Sequence, residues 1–351
     1  MKATFVYPNS RRALLAGIER GEEPDSQLHG ALYLGENGVD VSFHDPLLSR
    51  RALPGPLGRA AWSLREATVP YELGATDVVF TPLAGLLPLA ARPRRLPVVV
   101  INFGFNLIWR RASAARRRLL RASLRSAARI ICMGESQRTE IVQAAGLDPE
   151  RVVTMVIPVD GRFFVPTSGP ADGRMVVTVG KDLARDYGTF AQAVRTLDVD
   201  ARLVAHPRNV AEVVLPPNAS VTGRIPSLEL RELYARAACV VVPQRLDDYP
   251  YGSEGGGLTA LLEGMAMAKP VVASERAILR DYVDAGVDAL LVPAEDADAL
   301  RAAIQRVLAE PDLARSLGAA GRARVERAHT SRGFAARLAP LLRSVVYARR
   351  R

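Results

Sequence analysis

Short aliphatic runs alternate with segments of helical period along the whole chain. In the first half, Ala3–Tyr7, Val39–Phe43, Asp77–Phe80, Val98–Ile101 and Arg129–Met133 read as strands, and a sixth, Val152–Ile157, stops at Pro158. In the second half the strand candidates are Met175–Val179, Ala201–Ala205, Ser220–Thr222, Cys239–Pro243, Pro270–Ala273 and Ala289–Val292. Apolar strands separated by helical segments imply an α/β protein with parallel sheets. Asp296 is placed to cap a helix whose Leu300, Ile304, Val307 and Leu308 recur at i, i+4, i+7 and i+8. Gly318 and Gly321 are expected to interrupt the helical stretch that follows. Pro166–Gly173, rich in proline, glycine and serine, reads as a linker between halves 1–165 and 174–329.

Composition narrows the class. The 351 residues are 48% hydrophobic, ample for two cores, so wholesale disorder is excluded. The aliphatic runs, such as Leu96–Ile101, fall far below the ~18 residues of a membrane span. The first strand stops at Pro8 and is followed by Arg11 and Arg12, so no signal-peptide core is expected. Cys132 and Cys239 sit in apolar runs as buried free thiols, and the four histidines form no metal motif. A cytoplasmic protein without a metal site is the expectation.

The net charge of +10 is uneven. Trp109–Arg129 holds eight arginines and no acid; as a helix it would put Leu120, Leu124 and Ala127 or Ala128 on one face. Arg110–Arg129 suits peripheral contact with an anionic membrane or an anionic substrate, the plain alternative being a solvated basic helix. Few aromatics interleave with the arginines, so nucleic acid is disfavoured.

Candidate chemistry lies in the second half. Neither half has GxGxxG after its first strand, and GxxxxGK[ST] is absent, which disfavours dinucleotide and P-loop sites. Gly255, Gly256 and Gly257 lead into a helical pattern whose Leu258, Leu261, Leu262 and Met265 form one face. Amides at such a helix start can bind phosphate. Thr259 and Glu263 lie one turn apart off that face, where a carboxylate can accept the paired hydroxyls of a ribose. The plain alternative is a loop that merely turns the chain. After the seventh strand, Lys181 and Arg185 stand at the carboxyl end, where open sheets bind ligands and two cations could stabilise a leaving diphosphate.

The run Gly180–Val194, the segment Val221-Thr-Gly-Arg-Ile225, and Pro250–Ala273, Asp281–Pro293 and Leu317–Val325 after them resemble, in order, the carboxyl-terminal domain of retaining group 1 glycosyltransferases, family four, of the GT-B fold. The likeness is fainter in the amino half, at Leu32–Val41 and Ala127–Pro166. The resemblance implies two Rossmann-like domains facing each other across a cleft. The amino domain would bind an acceptor with a free hydroxyl, and the second a nucleotide-diphosphate sugar of unspecified base. Residues 330–351 would form a terminal helix crossing back to the amino domain. No cofactor or metal is implied.

The resemblance also assigns positions. Lys181, with Arg185 standing in for a second cation displaced by Tyr187, would stabilise the leaving diphosphate beside Gly180. The Gly256–Thr259 backbone would bind it, Glu263 would hold the ribose, and Arg224 and Ile225 would edge the base. This chain departs from the family pattern at three places. Gly255 stands where the first glutamate of the E-x7-E motif belongs, with Glu254 one residue earlier. Asn9 and Ser10 replace a glycine pair after the first strand, and Asn102 replaces a histidine; these three become candidate donor-sugar or acceptor contacts. The departures motivate one alternative, a catalytically silent GT-B-like binding protein. A sugar-nucleotide epimerase is weaker, because the histidines form no pair.

Overall fold

The computed structural model describes residues 1–45, 65–82, 85–167 and 173–350. The chain forms two compact units: Met1–Arg20, Gln27–Ile157 and Arg332–Arg351 make the first, and Gly21–Ser26 with Pro158–Ser331 the second.

In the first unit the strands are β1 (Lys2–Val6), β2 (Asp40–His44), β3 (Val78–Thr81), β4 (Val98–Asn102), β5 (Arg129–Cys132) and β6 (Val152–Thr154). They pair in parallel in the order β2-β1-β3-β4-β5-β6. In central strands such as β4 alternate side chains feed two cores, so the run is apolar on both faces, whereas the edge strand β2 mixes Asp40 and Ser42 with Val41 and Phe43. In β4, Val98 and Val100 join Trp109, Leu120, Leu124 and Ile141 on one face. Val99 and Ile101 join Phe5, Phe80, Phe334, Leu338 and Leu342 on the other. The last three belong to the helix Ser331–Arg350, so the end of the chain completes the core of its beginning.

The second unit repeats the plan. β7 (Met175–Gly180), β8 (Asp200–Ala205), β9 (Ala219–Thr222), β10 (Cys239–Val242), β11 (Val271–Ser274) and β12 (Leu290–Val292) pair in parallel in the order β12-β11-β10-β7-β8-β9. Val176, Leu203, Val241 and Val272 pack there with Tyr187, Phe190, Leu300 and Ile304. Both cysteines are buried free thiols, and Asp296 caps the helix Ala297–Ala309 through the Ala299 amide at 2.8 Å.

Three expectations need correction. Gly318 and Gly321 do not interrupt a helix: Pro311–Ala328 runs unbroken through both. A Cβ at Gly318 would overlap the carbonyl oxygen of Ala268, so the glycine is there for close backbone approach. The boundary also differs, for the long segment of the first unit stops at Ile157 rather than 165. Residues after it are docked on the second unit: Val159 N donates to His329 O at 2.7 Å, and Arg322 Nη1 donates to Phe164 O at 2.9 Å. Of the expected linker 166–173, residues 168–172 lie outside those described. Third, the arginine-rich stretch is two helices, Phe105–Arg110 and Ala114–Ser126, the second capped by Ser113.

Candidate functional site in the second unit

The topology of the second sheet reverses beside β7: β8 and β9 continue on one side, β10 to β12 on the other. Loops leaving the carboxyl ends of β7 and β10 therefore diverge at the point where open α/β sheets bind ligands. Here they are tied together. Asp182 Oδ1 accepts the Ala184 amide at 2.9 Å, and its Oδ2 accepts the Ser253 hydroxyl at 2.9 Å, fixing the β7 loop to the start of the glycine run. Gln244, just past β10, donates from Nε2 to Gly256 O, while its Oε1 accepts Arg276 Nη1 at 3.1 Å.

Gly257 has φ +90, and a Cβ there would overlap Gln244 Nε2 and stand 2.9 Å from Val242 Cγ1. No other residue fits that position, from which the helix Leu258–Ala266 starts. Leu258, Leu261, Leu262 and Met265 are wholly buried, as their spacing predicts. Only Thr259 of this helix is exposed; at its start the Gly256 and Leu258 amides donate to Ser253 O at 3.0 Å and Gly255 O at 3.3 Å. One turn on, Glu263 is buried and accepts the Tyr234 hydroxyl at 3.0 Å. Burial raises the Glu263 carboxyl to about 7, with the Tyr234 hydrogen bond and the Arg185 charge pulling the other way.

Arg185 is 4% exposed and lies against Gly180. Its Nη2 donates to Val179 O, whereas Nε and Nη1 are buried without a hydrogen-bond partner. Tyr187 donates its hydroxyl to Gly180 O at 2.7 Å, so it braces the strand end where the family pattern has a cation. The result is a guanidinium with unspent donors, a carboxyl and a glycine-led helix start around two strand ends.

The structure brings Gly180, Arg185, Gly256, Gly257, Leu258 and Glu263 together in this way. Lys181 and Arg224 are exposed, Gly255 and Ile225 half-buried, and Glu254 buried. Asn9, Ser10 and Asn102 lie in the first unit. The Asn102 side chain is fully used there: Oδ1 accepts the Gly104 and Phe105 amides at 3.2 and 2.7 Å, and Nδ2 donates to Asn106 Oδ1 at 2.9 Å. Sequence reasoning missed Asp182, Tyr234 and Gln244. Tyr234 reads as core, four residues past Leu230 on the helix Ser227–Arg236, and only its partner on another helix reveals a second role. Among the described residues, no group of three His, Cys, Asp or Glu could hold a metal ion, and no helix is long and apolar enough to cross a membrane.

Much of the arginine-rich stretch is bonded internally. Arg110 pairs with Glu140 at 2.5 Å, and Arg121 and Arg125 donate to Ala145 O and Gly146 O, each at 3.0 Å. Those carbonyls end the helix Glu135–Ala145, where cations are favoured. Arg116, Arg118 and Leu119 remain on the exposed surface.

Two family models match the chain, "Glycosyl transferases group 1" over residues 208–324 and "Glycosyl transferase 4-like domain" over residues 15–158. The chain belongs to the group 1 glycosyltransferases. This group 1 glycosyltransferase is 28% identical over 248 residues to the MMP alpha-(1->4)-mannosyltransferase of Mycolicibacterium hassiacum, a match covering 67% of this chain and 56% of that one. It is 26% identical over 234 residues to the D-inositol 3-phosphate glycosyltransferase of Kineococcus radiotolerans, covering 55% of this chain and 52% of that one. The matches thus span little more than half the length of these curated relatives. Among solved structures, sucrose-phosphate synthase of Thermosynechococcus elongatus superposes with a TM-score of 0.75 at 20% identity, covering 99% of this chain and 100% of that one. Anabaena HepE in complex with UDP-glucose gives 0.70 at 16% identity, covering 98% and 100%. At such identities the likeness is one of fold: two Rossmann-like domains of the GT-B kind, as the two six-stranded parallel sheets show.

Proposed function

We propose that this group 1 glycosyltransferase moves a sugar from a nucleotide-diphosphate donor to an acceptor hydroxyl with retention of anomeric configuration and without a metal. The observation that carries the reading is the second unit's strand-end cluster, where the buried Arg185 guanidinium lies beside Tyr187, the glycine-led helix and Glu263. The crystal structure of the fold relative HepE, a complex with UDP-glucose, supports a nucleotide sugar as donor.

Glu263, ionised, accepts the ribose hydroxyls; the Gly256–Thr259 amides and Lys181 meet the diphosphate, and Arg224 and Ile225 border the base. The bond from the anomeric carbon to the diphosphate breaks while the acceptor oxygen bonds to that carbon on the same face. The acceptor proton passes to the departing diphosphate oxygen, so no protein nucleophile is required. Arg185 and Lys181 stabilise the charge that develops on the leaving group, making catalysis chiefly positioning and electrostatics. Arg116 and Arg118 beside Leu119 supply peripheral contact with an anionic membrane.

The test is titration of the protein with UDP, GDP and ADP and their sugar conjugates, followed by turnover and determination of the product's anomeric configuration. Ligand at one hundred times its Kd stabilises the fold by about 2.7 kcal/mol, which a melting curve resolves. Binding of one nucleotide with a retained-configuration product is expected. Binding without turnover under any acceptor would make the protein a silent nucleotide-holding relative, and an inverted product would overturn the mechanism.

A further inference from the structure

The first unit has its own reversal point, and it carries polar groups that the donor site does not use. β2 lies on one side of β1 and β3 to β6 on the other, so the loop leaving β1 occupies the ligand-binding position of this sheet. In that loop the Arg11 guanidinium lies over the Tyr7 ring, 4.0 Å from its centroid. Arg11 Nε and, two residues earlier, Asn9 Oδ1 are both buried without a hydrogen-bond partner. A buried polar atom left unpaired is costly, so a donor and an acceptor orphaned in one loop point to a ligand that satisfies both.

The surroundings agree. His29 Nδ1 is 3.0 Å from the Tyr7 hydroxyl, and the two rings stack with centroids 5.8 Å apart. The His29 backbone is left-handed at φ 52, and Gly30 follows at φ 72. A non-glycine residue held there is uncommon, and such strain gathers at ligand sites. Burial and the Arg11 charge push the imidazole down to about 3, so it stays neutral and leaves Arg11 as the cation of the cluster. Arg12 is turned away to Asp45 at 2.7 Å. Phe103, following β4, sets its ring 5.1 Å from His29 and is 42% exposed.

We infer that this cluster is a subsite for an anionic, polyhydroxylated acceptor: Arg11 binds its carboxylate or phosphate, Asn9 Oδ1 accepts one of its hydroxyls, and Phe103 covers its ring. The inference rests on the transferase reading for the word acceptor, though not for the binding itself. A single guanidinium beside a neutral histidine suits a singly charged carboxylate better than a phosphate dianion.

The whole protein is titrated calorimetrically with glucuronate, glucose 6-phosphate and glucose, alongside R11Q, R11K and F103A. Both anions are expected to bind, glucuronate more tightly, with glucose at least about ten-fold weaker, the equivalent of one charged hydrogen bond. R11Q is expected to lose that preference and R11K to keep part of it, with melting curves confirming that each variant is folded. F103A should weaken all three sugars together. A reversed order of the two anions assigns a phosphate group to the same subsite. Equal binding of glucose, unchanged anion affinity in folded R11Q, or no binding of either anion overturns the proposal. Nucleotide titration of the same samples separates the two readings. If a nucleotide binds but Arg11 has no effect on anions, only the subsite falls. If Arg11-dependent anion binding occurs without any nucleotide binding, only the transferase reading falls.

Discussion

The Tyr234 hydroxyl donates to Glu263 Oε2 at 3.0 Å, joining two buried side chains on different helices across the end of β7. The phenol replaces part of the water a carboxylate needs, yet burial still lifts the Glu263 carboxyl to about 7. A carboxyl raised in this way stabilises the folded, ligand-free protein fully below its ordinary value of 4.5, and that contribution is lost as pH rises through about 7. Nucleotide binding needs the ionised form and should run oppositely. Affinity is expected to fall by up to about ten-fold per pH unit below 7, and E263Q should bind weakly with a flat profile. Titration calorimetry between pH 5 and pH 8 checks it; a wild-type profile as flat as that of E263Q would remove Glu263 from the nucleotide site.

Arg185 spends one nitrogen on Val179 O and keeps Nε and Nη1 unpartnered. The double substitution of Lys181→Ala with Arg185→Ala should lower kcat by roughly 100-fold or more while KM moves less, the pattern of lost leaving-group stabilisation. Steady-state kinetics on the identified donor decide it. A change confined to KM would assign the two cations to ground-state binding.

Asp182 ties the β7 loop to Ser253 through the Ser253 hydroxyl. Asp182→Ala should free the glycine run and cost about 1–3 kcal/mol of nucleotide affinity, although the side chain touches no ligand in this scheme. Isothermal titration measures it, with Ser253→Ala expected to give a smaller loss in the same direction.

Much of the fold is legible in the sequence because the central aliphatic runs are strands with apolar neighbours on both faces. Val98 to Ile101 announces β4 before any partner is known. Glu263 is legible for a related reason: its distance from the glycine run is local, fixed by one turn of helix. Gly318 is not, because what it meets, the Ala268 carbonyl, lies fifty positions away and leaves no trace in the local pattern. Asp182 and Gln244 escape likewise, as polar loop residues whose partners come from another strand end.

Gly318→Ala should accordingly destabilise the protein rather than strengthen its helix. Alanine has the better helix propensity by about 1 kcal/mol, but its methyl group would press on the Ala268 backbone, an overpacking cost of about 1–3 kcal/mol. A lower melting midpoint is expected. A higher one would show that the two backbones can move apart.

On the first unit, Arg116 and Arg118 flank the exposed Leu119. Vesicles containing phosphatidylserine should sediment the protein at low salt and release it at high salt. Reversing both charges (R116E with R118E) should weaken binding by at least about 1 kcal/mol per arginine. Equal sedimentation of the variant would move the contact elsewhere.

The order in which the chain is made is at odds with the order in which it can be finished. The sheet of β1 to β6 leaves the ribosome before the second unit, yet Phe334, Leu338 and Leu342, which fill one of its two cores, leave it after that unit. Domains usually fold as they emerge, amino-terminal first. Here the earlier half must wait, incompletely buried, while the whole second unit is synthesised and folds, and it closes only on the arrival of the final helix. A released chain that ends near residue 331 would therefore hold a finished second unit and an unfinished first one.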